Sequence, residues 1–260
     1  MSVCPVTGEH LRKVAHFFEG WNETLIWSAL QECMGSVFAD RIEQPTAAQI
    51  VIADFCFLAG QPQLELVLHN PHKSKSQFII MVPQNEAWAK LIDEAYGNHA
   101  KRITRYAIKK EPNVFDPLKL KLAIESIEAD YEIKLIDEAI YQQAMASDWS
   151  RDLCSQFENY EEYKEKGLGA AALYKGELVA GASSYTRYNE GIEIEIDTKT
   201  EFRRKGLAYA CAAKLILECI DRNLYPSWDA QNKWSVALAE KLGYHFDKEY
   251  TAYEVSLFGL

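Results

Sequence analysis

Glu193 and Glu195 stand two residues apart in Gly191-Ile192-Glu193-Ile194-Glu195-Ile196-Asp197-Thr198, with isoleucine between and on both sides. In an extended chain this spacing puts both carboxylates on one side and the three isoleucines on the other. The isoleucines would face a helix and the core, and the glutamates a cleft or solvent. A carboxylate lining a cleft can accept a proton from a reacting group; on an open strand the pair would be two solvated charges. Shortly after comes Arg203-Arg204-Lys205-Gly206-Leu207-Ala208, followed by a long periodic run from Tyr209 to Arg222. The order is strand, basic glycine-containing turn, helix. A helix N-terminus carries unpaired N–H groups and a partial positive charge, and small residues let a phosphate come close to them. Three cations at a helix start are unfavourable unless an anion meets them. The segment therefore reads as an anion cradle, against the plainer alternative of solvated surface charge.

These residues need a scaffold, and the chain is long enough for one large domain or two small ones at 260 residues. With 48% hydrophobic and 25% charged residues it is ordinary for a soluble globular protein. No apolar run is long enough for a membrane span, and the N-terminus lacks a basic region followed by an apolar core, so neither membrane nor secretion is expected. A net charge of -10 argues against nucleic acid as a partner and favours a cationic one such as an amine. The six cysteines, at 4, 33, 56, 154, 211 and 219, form no CxxC pair, which suits a reducing, cytoplasmic compartment. Cys211 and Cys219 read as small, inert core residues of the helix. His16, His69, His72 and His99 are scattered, and no metal site is expected from them.

Periodicity and turn residues divide the chain into two α/β domains, 1–125 and 126–260. The first begins with a helical stretch over 11–35, broken near Gly20 and Trp21. Short apolar runs at 49–59, 63–68 and 77–82 read as strands, with Asn70-Pro71-His72-Lys73-Ser74 as a loop. A helix over 86–96, a strand over 101–109 and a helix over 118–126 complete it. In the second, a strand over 131–136 precedes a helix over 137–145 and another leading through Phe157. A polar helix over 159–166 ends at Gly167-Leu168-Gly169, which has C-cap chemistry. Lys175-Gly176 joins two strands as a hairpin, and 185–189 turns into the glutamate strand. Beyond the cradle helix lie a short strand over 225–228, a helix over 232–242 with Trp228 before it as core or lining, and one or two strands over 245–258.

With these pieces in place, the chain resembles the GCN5-related N-acetyltransferase (GNAT) superfamily, most strongly over 130–258. It is closer still to a branch with an extra N-terminal domain that includes zwittermicin A resistance-type acetyltransferases. The first 125 residues are similar to that branch more weakly, in length and in Arg105-Tyr106-Ala107-Ile108 with Phe115 downstream. Arg203, Gly206 and Ala208 match the fixed places of the family's Arg/Gln-x-x-Gly-x-Gly/Ala, and Asn232, Ser235, Gly243 and Tyr244 match its second element. The resemblance implies a central mixed, mostly antiparallel, splayed sheet of the α+β class, preceded by the smaller α/β domain. It implies acetyl-CoA as the acetyl donor, its diphosphate held at Arg203, Arg204, Lys205, Gly206, Leu207 and Ala208. The pantetheine arm would lie along Ile196, Asp197 and Thr198, with Asn232 and Ser235 against it. It implies direct transfer to the amine of a small acceptor, with Glu195, nearer the cradle, as the base and Glu193 as the fallback. One departure stands out: many relatives carry a tyrosine seven residues after the asparagine, and here that place is Ala239. The rival readings are a non-catalytic acyl-CoA-binding or regulatory protein and an interaction module built on the first domain. A homodimer is left open.

Overall fold

The computed structural model describes residues 3–71 and 78–257. They fall into two compact units, one of Met1–Arg105 with Glu249–Leu260, the other of Tyr106–Lys248. The C-terminal residues belong with the first unit because the last strand returns to pair with Phe78–Met81, a long-range event with no local signal. His72, Lys73 and Ser74 lie outside the described residues.

The first unit is built from β1 (Cys4–Val6), α1 (Arg12–Ala15), α2 (Thr24–Leu30), β2 (Ser36–Ala39), β3 (Ala47–Ile52), β4 (Phe55–Gly60), α3 (Leu64–Leu68), β5 (Phe78–Pro83), α4 (Glu86–Tyr96) and the first part of β6 (Ala100–Ile108). Its strands run in the order β1-β2-β3-β4-β5, followed by the last strand of the chain and β6. The run expected as one strand over 49–59 is a hairpin: Ile52 pairs with Phe55 across Ala53 and Asp54, and Ala53 has φ +53. Both strands are buried on both faces, so the apolar run is nearly continuous and hides its turn. The run over 63–68 is not a strand but the helix α3. Its Leu66 and Val67 are buried while Leu64 and Leu68 are exposed; so few residues fit either period. The short strands β1 and β2 have no sequence signal. α4 forms as expected, capped by Asn85, with Trp88, Ala89, Ile92 and Tyr96 buried.

Asp40, at the end of β2, ties this unit together. Its Oδ1 accepts from the Thr46 and Ala47 backbone N–H groups at 2.8 and 3.1 Å, and its Oδ2 accepts from Thr46 Oγ1 and Arg41 Nε at 3.0 and 2.7 Å. Burial pushes the carboxyl pKa up, but these donors together outweigh it and leave it below the ordinary value. A depressed carboxylate stabilises the fold above its unfolded pKa, about 3.9, and loses that contribution as pH falls through the folded value. Asp40→Asn is therefore expected to lower stability by about 2–3 kcal/mol at neutral pH and to remove part of the acid-dependent loss. Thermal unfolding of both proteins at neutral and acid pH checks this, and equal melting temperatures throughout would refute it.

The second unit takes up the end of β6 and continues with α5 (Pro117–Glu125), β7 (Tyr131–Leu135), α6 (Glu138–Met145), α7 (Tyr160–Lys166), β8 (Gly169–Tyr174), β9 (Glu177–Tyr188), β10 (Gly191–Thr198), α8 (Leu207–Asp221), β11 (Tyr225–Ser227), β12 (Asp229–Ala230), α9 (Lys233–Leu242) and the start of β13 (Phe246–Ser256). Its sheet has the order β11-β10-β9-β8-β7, antiparallel except for the parallel pair β10/β11. The expected mixed, mostly antiparallel sheet is present. The β8/β9 hairpin turns at Lys175 and Gly176, both with positive φ, as a two-residue turn between twisted strands requires. β9 runs on through Tyr188, where the sequence predicts a turn from 185. The helix expected through Phe157 is reduced to a single 3-10 turn, Arg151–Leu153. Gly167 follows α7 in an extended conformation, φ -83 and ψ 166, not as a left-handed cap.

α8 lies across one face of this sheet. Ala210, Cys211, Ala212 and Ala213 are fully buried, and such short side chains let a helix approach a sheet closely. Ile192 and Ile194 share this core, with Ile196 packed at its edge. Burial pushes the Cys211 and Cys219 thiols up to about 12, as suits inert core residues. The Arg151–Leu153 turn and α6 pack against β9. No helix among the described residues is long and apolar enough to cross a membrane.

Candidate functional site

β10 and β11 pair only over Gly191–Tyr225, Ile192–Pro226 and Glu193–Ser227. From Ile194 onward β10 keeps its β9 partner alone, while the chain leaving β11 goes to β12, which pairs with Tyr106 and Ala107. The two strands therefore splay. Ahead of the opening stands the N-terminus of α8. Here Arg204 has φ +63 and Gly206 has φ +81, so the backbone turns twice through the left-handed region. That conformation is costly for arginine and easy for glycine. Alternating turns of this kind aim backbone N–H groups inward as an anion-binding nest. Side chains of Asn85, Asp116, Asp137, Asn159 and Asn232 cap α4, α5, α6, α7 and α9, whereas α8 has no side-chain cap. The first intrahelical bond at its start is Ala210 N–H to Gly206 O, which leaves the preceding N–H groups facing outward.

A cleft of about 460 Å³ opens onto this N-terminus. Ile196, Asp197, Thr198, Arg203, Arg204, Gly206, Leu207, Ala208, Asn232 and Ser235 line it together. Lys205 does not. Its Nζ donates to the Tyr131 hydroxyl at 3.0 Å and lies 5.1 Å over the Phe202 ring. Glu193 and Glu195 also lie outside the lining, on the strand face opposite to the isoleucines. Glu193 is buried, at 4% exposure, and Glu195 is half-buried.

Within the cleft, Thr198 N–H donates to Asp197 Oδ1 at 2.6 Å, and Arg203 Nε donates to Thr198 O at 3.2 Å. Burial raises the Asp197 carboxyl despite the Thr198 N–H and the nearby Arg203. Thr198 Oγ1 is buried without a protein partner. Asn232 spends its side-chain oxygen on Ser235 N–H at 3.0 Å, which keeps its amide N–H groups as the donors available to a ligand. Trp228 is core and lining at once: it packs edge-on to Tyr244, is 4% exposed, and donates from Nε1 to Ser235 Oγ at 3.0 Å.

Sequence reasoning misses several lining residues, among them Tyr209, Gln231, Trp234, Leu238 and Lys241. Trp234, Leu238 and Lys241 follow the i, i+4, i+7 spacing of one helix face, which is the available signal. Trp234 is 85% exposed, unusual for so large an apolar group. Lys241 Nζ stands 4.1 Å over the Tyr209 ring, a cation–π contact at the edge of the cleft. Ala239 is fully buried and brings no hydroxyl to the site.

The cradle fits a phosphorylated ligand: uncapped helix N–H groups, two left-handed turns, flanking arginines and an unpartnered buried hydroxyl all face the same cleft. Comparison with known proteins bears on the family. A crystal structure of a GCN5-related N-acetyltransferase-like protein from Streptococcus suis 89/1591 is 45% identical, superposes with a TM-score of 0.90, and matches over 95% of this chain and 98% of its own. The Bacillus subtilis (strain 168) protein described as uncharacterized N-acetyltransferase YdfB is 26% identical over 253 residues, 91% of this chain and 92% of that protein. A tandem GNAT protein from the clavulanic acid biosynthesis pathway shares the fold at a TM-score of 0.57 and 10% identity, over 100% of this chain and 99% of its own. The GNAT acetyltransferase family model matches residues 15–253, and the chain belongs to that family.

Proposed function

We propose that this protein is a cytoplasmic N-acetyltransferase that takes an acetyl group from acetyl-CoA and moves it directly to the amine of a small acceptor. The observation that carries this reading is the uncapped start of α8, with left-handed Arg204 and Gly206, opening onto the cleft beside the splayed strands. The N–H groups of Leu207 and Ala208 would hold the diphosphate, with Arg203 and Arg204 supplying charge. The edge of β10 from Ile196 to Thr198, released from β11, would lie along the pantetheine arm, and Asn232 would offer its amide N–H groups to it. Acetyl-CoA supplies a thioester whose acyl carbon is open to a neutral amine. The acceptor must first lose its ammonium proton, and Glu195 and Glu193 are the carboxylates placed on β10 to receive it. No tyrosine stands at the place of Ala239, so the thiol would depart as thiolate, which a pKa near 8.5 allows.

Isothermal titration with acetyl-CoA, followed by thiol release over a panel of primary amines, tests the reading. No affinity for acetyl-CoA would end it. Affinity without thiol release for any amine would favour the second reading, a non-catalytic acyl-CoA-binding protein, to which the missing hydroxyl at Ala239 gives its support. A further expectation concerns Trp234, an exposed ring on the cleft face of α9. Trp234→Ala should weaken acetyl-CoA binding about tenfold, roughly 1.4 kcal/mol, through lost stacking, with little change in melting temperature. An unchanged dissociation constant would remove the ring from the site.

A further inference from the structure

One row of side chains crosses the sheet at the last rung before the strands part. Thr186 of β9, Glu193 of β10 and Ser227 of β11 are partners in register, so all three point to the same face. Thr186 and Ser227 are fully buried, and Glu193 nearly so. Neither Thr186 Oγ1 nor Ser227 Oγ reaches a protein atom at hydrogen-bond geometry. Buried hydroxyls are seldom left that way. Side chains on neighbouring strands stand about 5 Å apart at Cβ; with neither hydroxyl bonded to the next row member, that spacing suits a bridging water. The next rung closes the site from one end. Gly191 lies between Tyr188 and Tyr225, and a Cβ on it would stand 2.6 Å from the Tyr188 hydroxyl. The phenol thus lies over the glycine. Ser227 is near enough to ease its ionisation, though outside hydrogen-bond geometry.

The corresponding rung at Glu195 differs. Its β9 partner, Ser183, has its hydroxyl 2.7 Å from the Tyr163 hydroxyl and 3.4 Å from Leu168 O. That hydroxyl is already spent on the protein.

We infer that Thr186 and Ser227 each hold an ordered water against the Glu193 carboxylate, and that Glu193 rather than Glu195 is the carboxylate wired to take the acceptor's proton. Buried waters typically satisfy such otherwise unpartnered groups. In the transfer step the ammonium proton passes to a water oxygen while that water gives its own proton to a Glu193 oxygen. The water is regenerated, the amine keeps its lone pair, and Glu193 is left neutral until the proton returns to solvent by the same route. Thr186 and Ser227 are positioning residues in this scheme. The proton route rests on the proposed acetyl transfer, but the water sites do not.

High-resolution crystal structures of the wild type, Thr186→Val, Thr186→Ser and Ser227→Ala separate the two. The wild type is expected to show water bonded to both Thr186 Oγ1 and Glu193, lost in Thr186→Val and kept in Thr186→Ser; Ser227→Ala should lose the water on its own flank. With an amine that the wild type acetylates, Thr186→Val should lower kcat about tenfold at unchanged KM for acetyl-CoA, and Thr186→Ser should restore it. A wild-type structure in which no water touches either hydroxyl overturns the inference, even if acetyl-CoA binds. Failure of acetyl-CoA to bind ends the acetyl-transfer reading and the proton route while leaving the waters in place.

Discussion

Ala208→Asp is expected to lose acetyl-CoA affinity by about a hundredfold or more while the protein keeps its melting temperature. Ala208 is the second residue of α8 and lines the cleft. A carboxylate there would stand where the diphosphate must come. At about 4 Å, like charges near a protein surface repel by roughly 4 kcal/mol per pair at an effective dielectric constant of 20, and a hundredfold loss needs only about 2.7 kcal/mol. Stability responds in the opposite sense. An acid in the first turn of a helix contributes about 0.3–1 kcal/mol through the helix dipole, which roughly offsets the lower helix propensity of aspartate. Titration calorimetry beside thermal unfolding reads both quantities. Retained affinity would mean that the start of α8 does not hold the diphosphate. A collapse of stability would mean that Ala208 is a packing residue instead.

Glu193→Gln should lower kcat by about 10²–10⁴-fold, the usual range for loss of a positioned general base, with acetyl-CoA affinity unchanged. The substitution keeps shape and hydrogen-bonding capacity at a site that is 4% exposed, so folding should be preserved. Glu193 lies within electrostatic reach of Tyr188, Tyr225 and Tyr244, whose phenols burial chiefly pushes up and its charge raises further. Removing that charge should therefore move these tyrosines toward their ordinary range, a shift that ultraviolet titration can follow. Full turnover in the Glu193→Gln variant, measured by thiol release, would take Glu193 out of the chemistry.

Much of the fold is legible in the sequence. The strand Gly191–Thr198 can be placed to the residue, because alternating isoleucine and glutamate fits only a strand with one buried face. α4 and α9 are equally plain, since their apolar residues fall at helical spacing. The misreadings share a cause. Over 49–59 the pattern is almost wholly apolar because the hairpin is covered on both sides, so periodicity has little to contrast. Over 63–68 five residues of α3 carry too little pattern to tell a helix from a strand.

The cradle is visible because its chemistry is local: a strand, a glycine that must turn left-handed, and a helix start lie within a few residues of one another. Its walls are less so. Trp234 and Lys241 come from a later helix, and Lys205 turns away to Tyr131 for reasons that reside in a strand far earlier in the chain. The same holds for the row of Thr186, Glu193 and Ser227. Each is unremarkable alone, and only strand register makes them neighbours. Local order along the chain thus specifies which groups can bind an anion or accept a proton. Pairing between distant segments specifies which of them meet, because register and burial depend on residues far apart along the chain.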